Sequence, residues 1–423
     1  LPSQWVDKQR LVPLGEWVPG ADLWRWSGLS AVGGLQPGPA SRLLARPQGP
    51  VGVAICYELA DGHAMAQATR DGALWLLASA NLDPYPAMLQ GQFAALARLR
   101  AGFLGGSAGE TDYWKSESDL ASYDLTYAQR IGWKWDHVLA DLHARGWTPP
   151  PGEILDWGCG SGIAHRAFFH AFPPADGQPL ALWDRSPLAL DFARRRVTRA
   201  FPGVRVRVSG EGPVGTLLLS HVMTELPPGA IPALMELIRG ATTLLWVEAG
   251  TYEVSRALGV IREELLGEFH PVAPCVHRGA CGILAEENTP HWCHHFAEPP
   301  AGIFTDGNWA RFANVTGIDL RSLPVSYLVL DRRPPPSLPP HTLRLIGRPR
   351  LYKPYALAMG CDAAGVRELR ITKRRLPEVF RAARKGRLPG LPQWVREGDE
   401  VIEAAGVPEV GEEPAPPGEV LPE

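Results

Sequence analysis

Residues 153–162 read E-I-L-D-W-G-C-G-S-G, and this stretch restricts the fold of the 423-residue chain more than any other. A short apolar run, Ile154 and Leu155, ends in Asp156; Gly158, Gly160 and Gly162 then stand at alternate positions. The next seven residues, I-A-H-R-A-F-F, can continue as a helix. Glycine is needed where the backbone must turn sharply and approach a ligand with no Cβ in the way. Strand, glycine turn and helix form the nucleotide-binding start of a doubly wound α/β domain. The blander alternative is a tight strand-to-helix turn that holds nothing.

The sequence downstream continues that pattern. Residues 112–146 carry apolar faces at helical spacing, among them Leu120, Trp135, Val138, Leu139 and Leu142, and three prolines at 149–151 end the segment. Residues 181–184, A-L-W-D, give a second strand ending in an acid. Asp184 follows Asp156 by 28 positions, a separation that suits a βαβ unit. Its two readings are an acceptor for ribose hydroxyls and an N-cap for the helix at Pro187. Residues 205–208 are a weak third strand and 216–221 a stronger fourth, ending at Ser220 and His221 with Glu225 just beyond. Residues 244–248 give the next strand. Ligands of open α/β sheets sit at these carboxyl ends, which adds Ser220 to the candidate set; His221, a lone histidine, is read as structural.

D-x-G-x-G-x-G differs from the dinucleotide G-x-G-x-x-G and resembles the first motif of S-adenosylmethionine-dependent methyltransferases. The resemblance implies a class I methyltransferase-like sheet that binds S-adenosylmethionine through Asp156, Gly158, Gly160, Gly162, Asp184 and Ser220. The D/N-P-P-Y motif of amino-methylating enzymes is missing, so no catalytic residue is assigned in this domain.

The first hundred residues read differently. Residues 51–58, V-G-V-A-I-C-Y-E, have a buried-strand pattern, and 74–78 give a second strand. With residues 7–19 and the later Gln92 and Arg98-Leu99-Arg100-Ala101, this segment resembles the nitrilase-type domain of apolipoprotein N-acyltransferases. That family uses a lysine, a cysteine thiolate and an upstream glutamate; the matching positions are Lys8 and Cys56, with Glu16 and Glu58 as supporting carboxylates. A thiolate nucleophile needs a nearby cation and a base for its proton. Only seven residues precede Lys8, so the base has no counterpart, and the resemblance stops near Ala101. Residues 1–101 are therefore expected to be an inactive truncated segment, from a fragment or a gene fusion, joined at 102–111.

The six cysteines are too few for a disulfide scaffold in so long a chain. Three of them, Cys275, Cys281 and Cys293, fall among Gly, Pro and His at C-x5-C-x11-C, too polar and turn-rich for a buried strand. With no secretory signal in view, grouped thiolates point to a soft metal. Cys56 lies in the amino-terminal segment and Cys159 in the glycine turn, which leaves Cys361 as a fourth ligand. Four thiolates suit zinc or a 4Fe–4S cluster, and spacing does not decide between them.

A-P-C-x-H-x-x-x-C, W-C-H-x-F and a strand-borne later cysteine, downstream of the glycine turn, resemble the small-ribosomal-subunit methyltransferase-like family over residues 113–387. The resemblance implies a 4Fe–4S cluster on Cys275, Cys281, Cys293 and Cys361, and a role in small-subunit assembly. Two departures stand out: the family's prolines after its first two cysteines are Val276 and Gly282 here, and its acid-proline is Glu248-Ala249.

The expected organisation is a methyltransferase-like domain at 112–270, a cysteine-rich loop at 271–300, a β-rich basic module at 301–387 and an acidic disordered tail at 388–423. Short strands at 326–330, 342–346, 355–359 and 368–372 are assigned to the module. Net charge is only -3, so any basic surface must be local. Arg344, Arg348, Arg350 and Lys353 precede Lys373, Arg374 and Arg375, clusters that can neutralise RNA phosphates or form a solvated face. Of these, Arg348, Arg350, Lys373, Arg374 and Arg375 are the candidate contacts to small-subunit rRNA. Beyond Arg396 stand nine acids and no Lys or Arg. No apolar run reaches the roughly 18 residues of a membrane span. A monomeric cytoplasmic protein is expected.

Overall fold

The structure is a computed structural model that describes residues 113–208 and 213–405, the short pieces at Leu43–Leu44, Val51–Ile55 and Trp75–Ser79, and residues 70, 96 and 98–100. The chain divides into two compact units, Leu1–Gly91 and Gln92–Glu423. In the first, β1 (Leu43–Leu44), β2 (Val51–Ile55) and β3 (Trp75–Ser79) make one sheet, with β1 and β2 antiparallel and β2 and β3 parallel. Lys8, Glu16, Cys56 and Glu58 lie outside the described residues, as does the expected junction at 102–111.

The second unit opens with helices α1 (Glu117–Asp124) and α2 (Tyr127–Ala144). Ser116 caps α1 by accepting from the Asp119 amide. Strand β4 (Glu153–Trp157) runs into α3 (Ile163–Ala171), then β5 (Pro179–Trp183), α4 (Pro187–Ala200) and β6 (Arg205–Val208). Next come β7 (Val214–Ser220), α5 (Ile231–Arg239), β8 (Ala241–Ala249), α6 (Tyr252–Leu265) and β9 (His270–Ala273). Short β10 (His295–Phe296), helix α7 (Gly307–Thr316) and β11 (Pro324–Asp331) complete this part.

The strand order is β10-β11-β8-β7-β4-β5-β6, with β9 also paired to β11. Five strands, β6 through β8, are parallel, and β11 enters antiparallel beside β8. A parallel core closed by one antiparallel strand is the class I methyltransferase-like arrangement. The apolar pattern explains why both faces are covered. Ile154, Leu180, Leu182 and Leu218 pack against Trp135, Leu139, Phe168 and Phe169 of α2 and α3. Leu155, Ala181, Leu217 and Leu219 point the other way, onto Leu234, Ile238, Leu258 and Leu265 of α5 and α6. Each such large side chain removed from water contributes about 1.5–3 kcal/mol.

A second sheet follows, ordered β12-β13-β14-β16-β15. Its strands are β12 (Arg344–Leu351), β13 (Tyr355–Asp362), β14 (Gly365–Thr372), β15 (Gln393–Glu397) and β16 (Glu400–Ala405). Helix α8 (Pro377–Arg384) lays Val379, Phe380 and Ala383 onto Leu343, Ile371 and Trp394.

Two expected boundaries move. The strand read at 326–330 belongs to the first sheet, because Ser326 pairs with Glu248 and Leu328 with Trp246. Its unbroken burial from Val325 to Asp331 is that of an interior strand. The tail expected to be disordered from 388 contributes β15 and β16: Trp394 and Val401 are buried in the module's core, and that apolar pair outweighs the surrounding acids.

Candidate functional site

At the carboxyl end of the parallel strands the chain reverses through the glycine turn. Gly158, Gly160 and Gly162 all adopt left-handed backbone, with φ of 72°, 50° and 82°. Gly162 is doubly constrained, since a Cβ there would lie 2.5 Å from His165 Cε1. At Gly160 a Cβ would meet nothing within 4 Å, so the turn presents bare backbone to open space. Asp184 holds it in place, accepting from the Gly160 amide at 2.8 Å and from the Ser186 amide at 2.9 Å. Burial pushes the Asp184 carboxyl up from its ordinary value. The N-cap position of α4 is Ser186, so the capping alternative for Asp184 does not hold.

Asp156 lies beneath the turn, fully buried, with Oδ2 2.7 Å from His165 Nδ1. Its Oδ1 and His165 Nε2 have no hydrogen-bond partner. Ser220, at the end of β7, accepts from Trp135 Nε1 at 2.9 Å, which fixes the strand end against α2.

Around the loop after β7 stand groups that the sequence alone does not assign to the site. Glu248 accepts from the Val222 and Met223 amides and from Trp246 Nε1, at 2.9, 2.9 and 2.7 Å. Burial pushes its carboxyl up to about 7. Tyr113 donates its hydroxyl to Glu225 at 3.2 Å, and burial pushes Glu225 up to about 7 as well. Lys134 on α2 places Nζ 3.4 Å from His221 Nε2, and burial, with Arg130 nearby, brings its ammonium down to about 7. His221 itself has φ of 55°. A lysine inside an otherwise apolar helical pattern was the available signal for this cluster.

The cysteines form a second constellation. Cys275, Cys281, Cys293 and Cys361 line one small cavity of about 30 Å³, together with Arg262, His277 and Arg344. Cys361 arrives from β13, in the second sheet. Arg262 Nε donates to Cys275 Sγ at 3.2 Å, and His277 Nε2 is 3.5 Å from Cys361 Sγ. Burial first, and then the neighbouring sulfurs, push the Cys281, Cys293 and Cys361 thiols up. Among the described residues no group of three or more His, Cys, Asp or Glu is set to hold one metal ion. Cys159 is buried in the glycine turn instead.

Arg344, counted with the basic cluster in sequence, is buried and faces inward. It pairs with Asp141 of α2 and donates to the Pro274 carbonyl at 3.0 Å. Against the cost of burial, the Arg344 and Arg145 guanidiniums hold the Asp141 carboxyl well below its ordinary range. Gly282 explains one departure from the family pattern: a Cβ there would stand 2.6 Å from the Val366 amide, so the thiol loop touches the β13–β14 turn backbone to backbone.

The basic residues are divided. Lys373, Arg374 and Arg375 are exposed after β14. Arg350 of β12 pairs with Glu368 of β14 across the intervening β13, and Arg348 lies over the Phe296 ring, 4.1 Å from its centroid.

Comparison with known proteins separates the chain's two parts. The amino-terminal segment is 65% identical over 99 residues to an apolipoprotein N-acyltransferase of Prochlorococcus marinus strain MIT 9313, covering 23% of this chain and 20% of that protein. It is 64% identical over 96 residues to the same-named protein of Parasynechococcus marenigrum, covering 23% and 21%. The chain thus spans about a fifth of the length of these relatives. Among solved structures, the plantazolicin methyltransferase BpumL is 14% identical with a TM-score of 0.31, covering 59% of this chain and all (100%) of that one. A SAM-dependent methyltransferase from Aquifex aeolicus is 14% identical with a TM-score of 0.28, covering 37% and 90%. The strand order, rather than these distant likenesses, carries the fold. A family model described as mitochondrial small ribosomal subunit Rsm22 matches residues 136–389, from the middle of α2 to just past the module's helix. That match spans more than half of the sequence, and the chain belongs to the Rsm22 family.

Proposed function

We propose that the chain is an S-adenosylmethionine-dependent methyltransferase-like protein that acts on, or binds, small-subunit rRNA during ribosome assembly. The observation that carries this reading is the glycine turn, with three left-handed glycines tied by Asp184 at the carboxyl end of the parallel strands. Bare backbone amides and a buried acid at that place suit a nucleoside with a short charged arm. Asp184 would hold the ribose, and Gly158, Gly160 and Gly162 would let the backbone approach; Ser220 would line the far wall. Asp156 sits deeper and supports the turn through His165. S-Adenosylmethionine supplies an electrophilic methyl group when bound. The family's small-subunit name supports ribosomal RNA as the partner, and Lys373, Arg374 and Arg375 are the exposed cations best placed to meet its phosphates.

The same reading includes a metal centre held by Cys275, Cys281, Cys293 and Cys361. The donor set fits a soft metal, with four sulfurs sharing one cavity and Arg262 donating to one of them. Four thiolates suit zinc or a 4Fe–4S cluster, and it is the likeness of the cysteine pattern to the small-ribosomal-subunit family that supports the cluster. The cluster's part would be structural, joining the thiol loop to the second sheet.

Titration calorimetry with S-adenosylmethionine, followed by methyl incorporation into small-subunit rRNA, tests the first half. Binding without incorporation would leave a non-catalytic assembly factor; no binding to either cofactor or RNA would end the proposal. Anaerobic purification with iron, sulfide and zinc analysis tests the second half, and Cys361→Ser should lose most of the metal.

A further inference from the structure

Two cavities meet at Cys275 and His277. The inner one is the four-thiol space. The outer one is a solvent-open cleft of about 470 Å³, walled on one side by the thiol loop and on the other by the proline run at 335–339. Both residues line both spaces.

Charge in the cleft is one-sided. Its titratable walls are Arg145, His270, His277, Arg278 and His341, and no Asp or Glu is among the residues that line it. Arg145 is occupied by Asp141 and by the carbonyls of Val272, Pro274 and Cys275. The charge available to a visitor is that of Arg278, exposed at the rim, 3.1 Å from His270 Nδ1. Prolines in the opposite wall have fixed φ and no N–H, so that wall resists collapse and does not compete for an anion's partners. His277 stands at the boundary, with Nε2 toward Cys361 Sγ and Nδ1 without a partner.

We propose that this cleft is the port through which small anions reach the four thiols, Cys275 being the first sulfur met. The ligand class is a small anionic thiolate complex of the metal, carrying its bridging sulfide where the centre is a cluster, on the way in, and an anionic chelator on the way out. A bare divalent cation is repelled by the same wall. When metal passes from carrier to protein, each receiving thiol gives its proton to water, and each departing carrier thiolate takes one up. The port's use rests on the metal reading above; its geometry does not.

The test is alkylation of the full chain, stripped of metal and reduced, with iodoacetate and with iodoacetamide, read at each cysteine by peptide mass spectrometry. Cys275 should react before Cys293. Arg278→Glu should lower the iodoacetate-to-iodoacetamide rate ratio at Cys275 by about three- to tenfold, a ratio that cancels any change in thiolate fraction common to both reagents. Ser337→Trp, on the exposed proline rim, should slow both reagents at Cys275 and neither at Cys159. Thermal melts identify any variant that fails to fold, and the other variant then carries the test. Cys275 reacting no faster than Cys293, or rates indifferent to every folded variant, overturns the port. Metal analysis of the untreated chain is a separate readout: a metal-free chain with the expected rates sinks the metal centre and keeps the port, and the reverse result does the opposite.

Discussion

The glycine turn and the thiol seam are both candidate sites, but they are assembled in opposite ways. The turn is built from neighbours in sequence: Asp156, three glycines and His165 lie within ten positions, and their geometry follows from local backbone sterics. The seam gathers sulfurs from a loop and from β13, a strand of another sheet. It is held by Arg344 reaching Asp141, 203 positions away. A site made of local backbone survives loosening of the module beside it. A site made of docked modules does not.

The sharpest way to break that contrast is Arg344→Ala. Removing the guanidinium leaves the Asp141 carboxylate buried beside Arg145 and Tyr327, and takes a wall from the thiol cavity. Breaking a buried pair from one side costs about 3–5 kcal/mol. Denaturant unfolding should show that loss, together with reduced metal content, while S-adenosylmethionine affinity stays near wild type. A loss of cofactor binding as large as the loss of metal would show that the two regions are not independent.

The converse variant attacks the turn. Gly162→Ala forces an alanine into left-handed backbone, at about 1–2 kcal/mol, and drives its Cβ into His165. Overpacking adds about 1–3 kcal/mol. Gly160→Ala pays only the backbone cost, since its Cβ would face open space. Calorimetry should rank cofactor affinity wild type, then Gly160→Ala, then Gly162→Ala if local sterics govern this end. Equal losses at the two positions would mean that the ligand, not the backbone, fills the space at Gly160.

Acidity gives a third probe of the sheet's carboxyl end. Burial raises Glu225 from 4.5 to about 7, among Tyr113, Asp184, Arg185 and Glu248. A raised folded-state value means the folded protein holds the proton more tightly than the unfolded chain. Stability from this group is therefore complete below about 4.5 and lost as pH rises through about 7. At about 1.36 kcal/mol per pH unit, the loss is roughly 3 kcal/mol. Glu225→Gln should flatten the melting temperature between those limits relative to wild type; parallel profiles would assign the dependence to Glu248, which carries the same shift.

The contrast also explains what could be read in advance. Apolar runs and the glycine spacing gave the parallel core, because those residues act through their own backbone and the alternation of their side chains. The strand at 324–331 follows the cysteine-rich loop in sequence, and its pairing with β8 is a tertiary choice that its residues do not encode locally. Cys361 could be nominated by elimination, yet nothing near it in sequence announces His277, and Arg344 looked like one more surface cation. Lys134, Glu225 and Glu248 gain their character from burial, which periodicity reveals only in part.

The smallest effect expected is at the exposed cations, and it separates stability from binding. Lys373, Arg374 and Arg375 stand in solvent after β14, so Lys373→Ala should change folding stability by no more than about 0.5 kcal/mol. If the side chain meets a phosphate, the slope of log affinity for small-subunit rRNA against log salt should fall by about 1. Arg350 offers the internal comparison, because its charge already faces Glu368. An exposed pair is worth about 0–1 kcal/mol, and a cation shared with a carboxylate attracts phosphate less. Arg350→Ala should therefore alter the salt slope less than Lys373→Ala does. A larger change at Arg350 would move the RNA face from the turn after β14 onto the strands themselves, directly over the cysteine seam's side of the module.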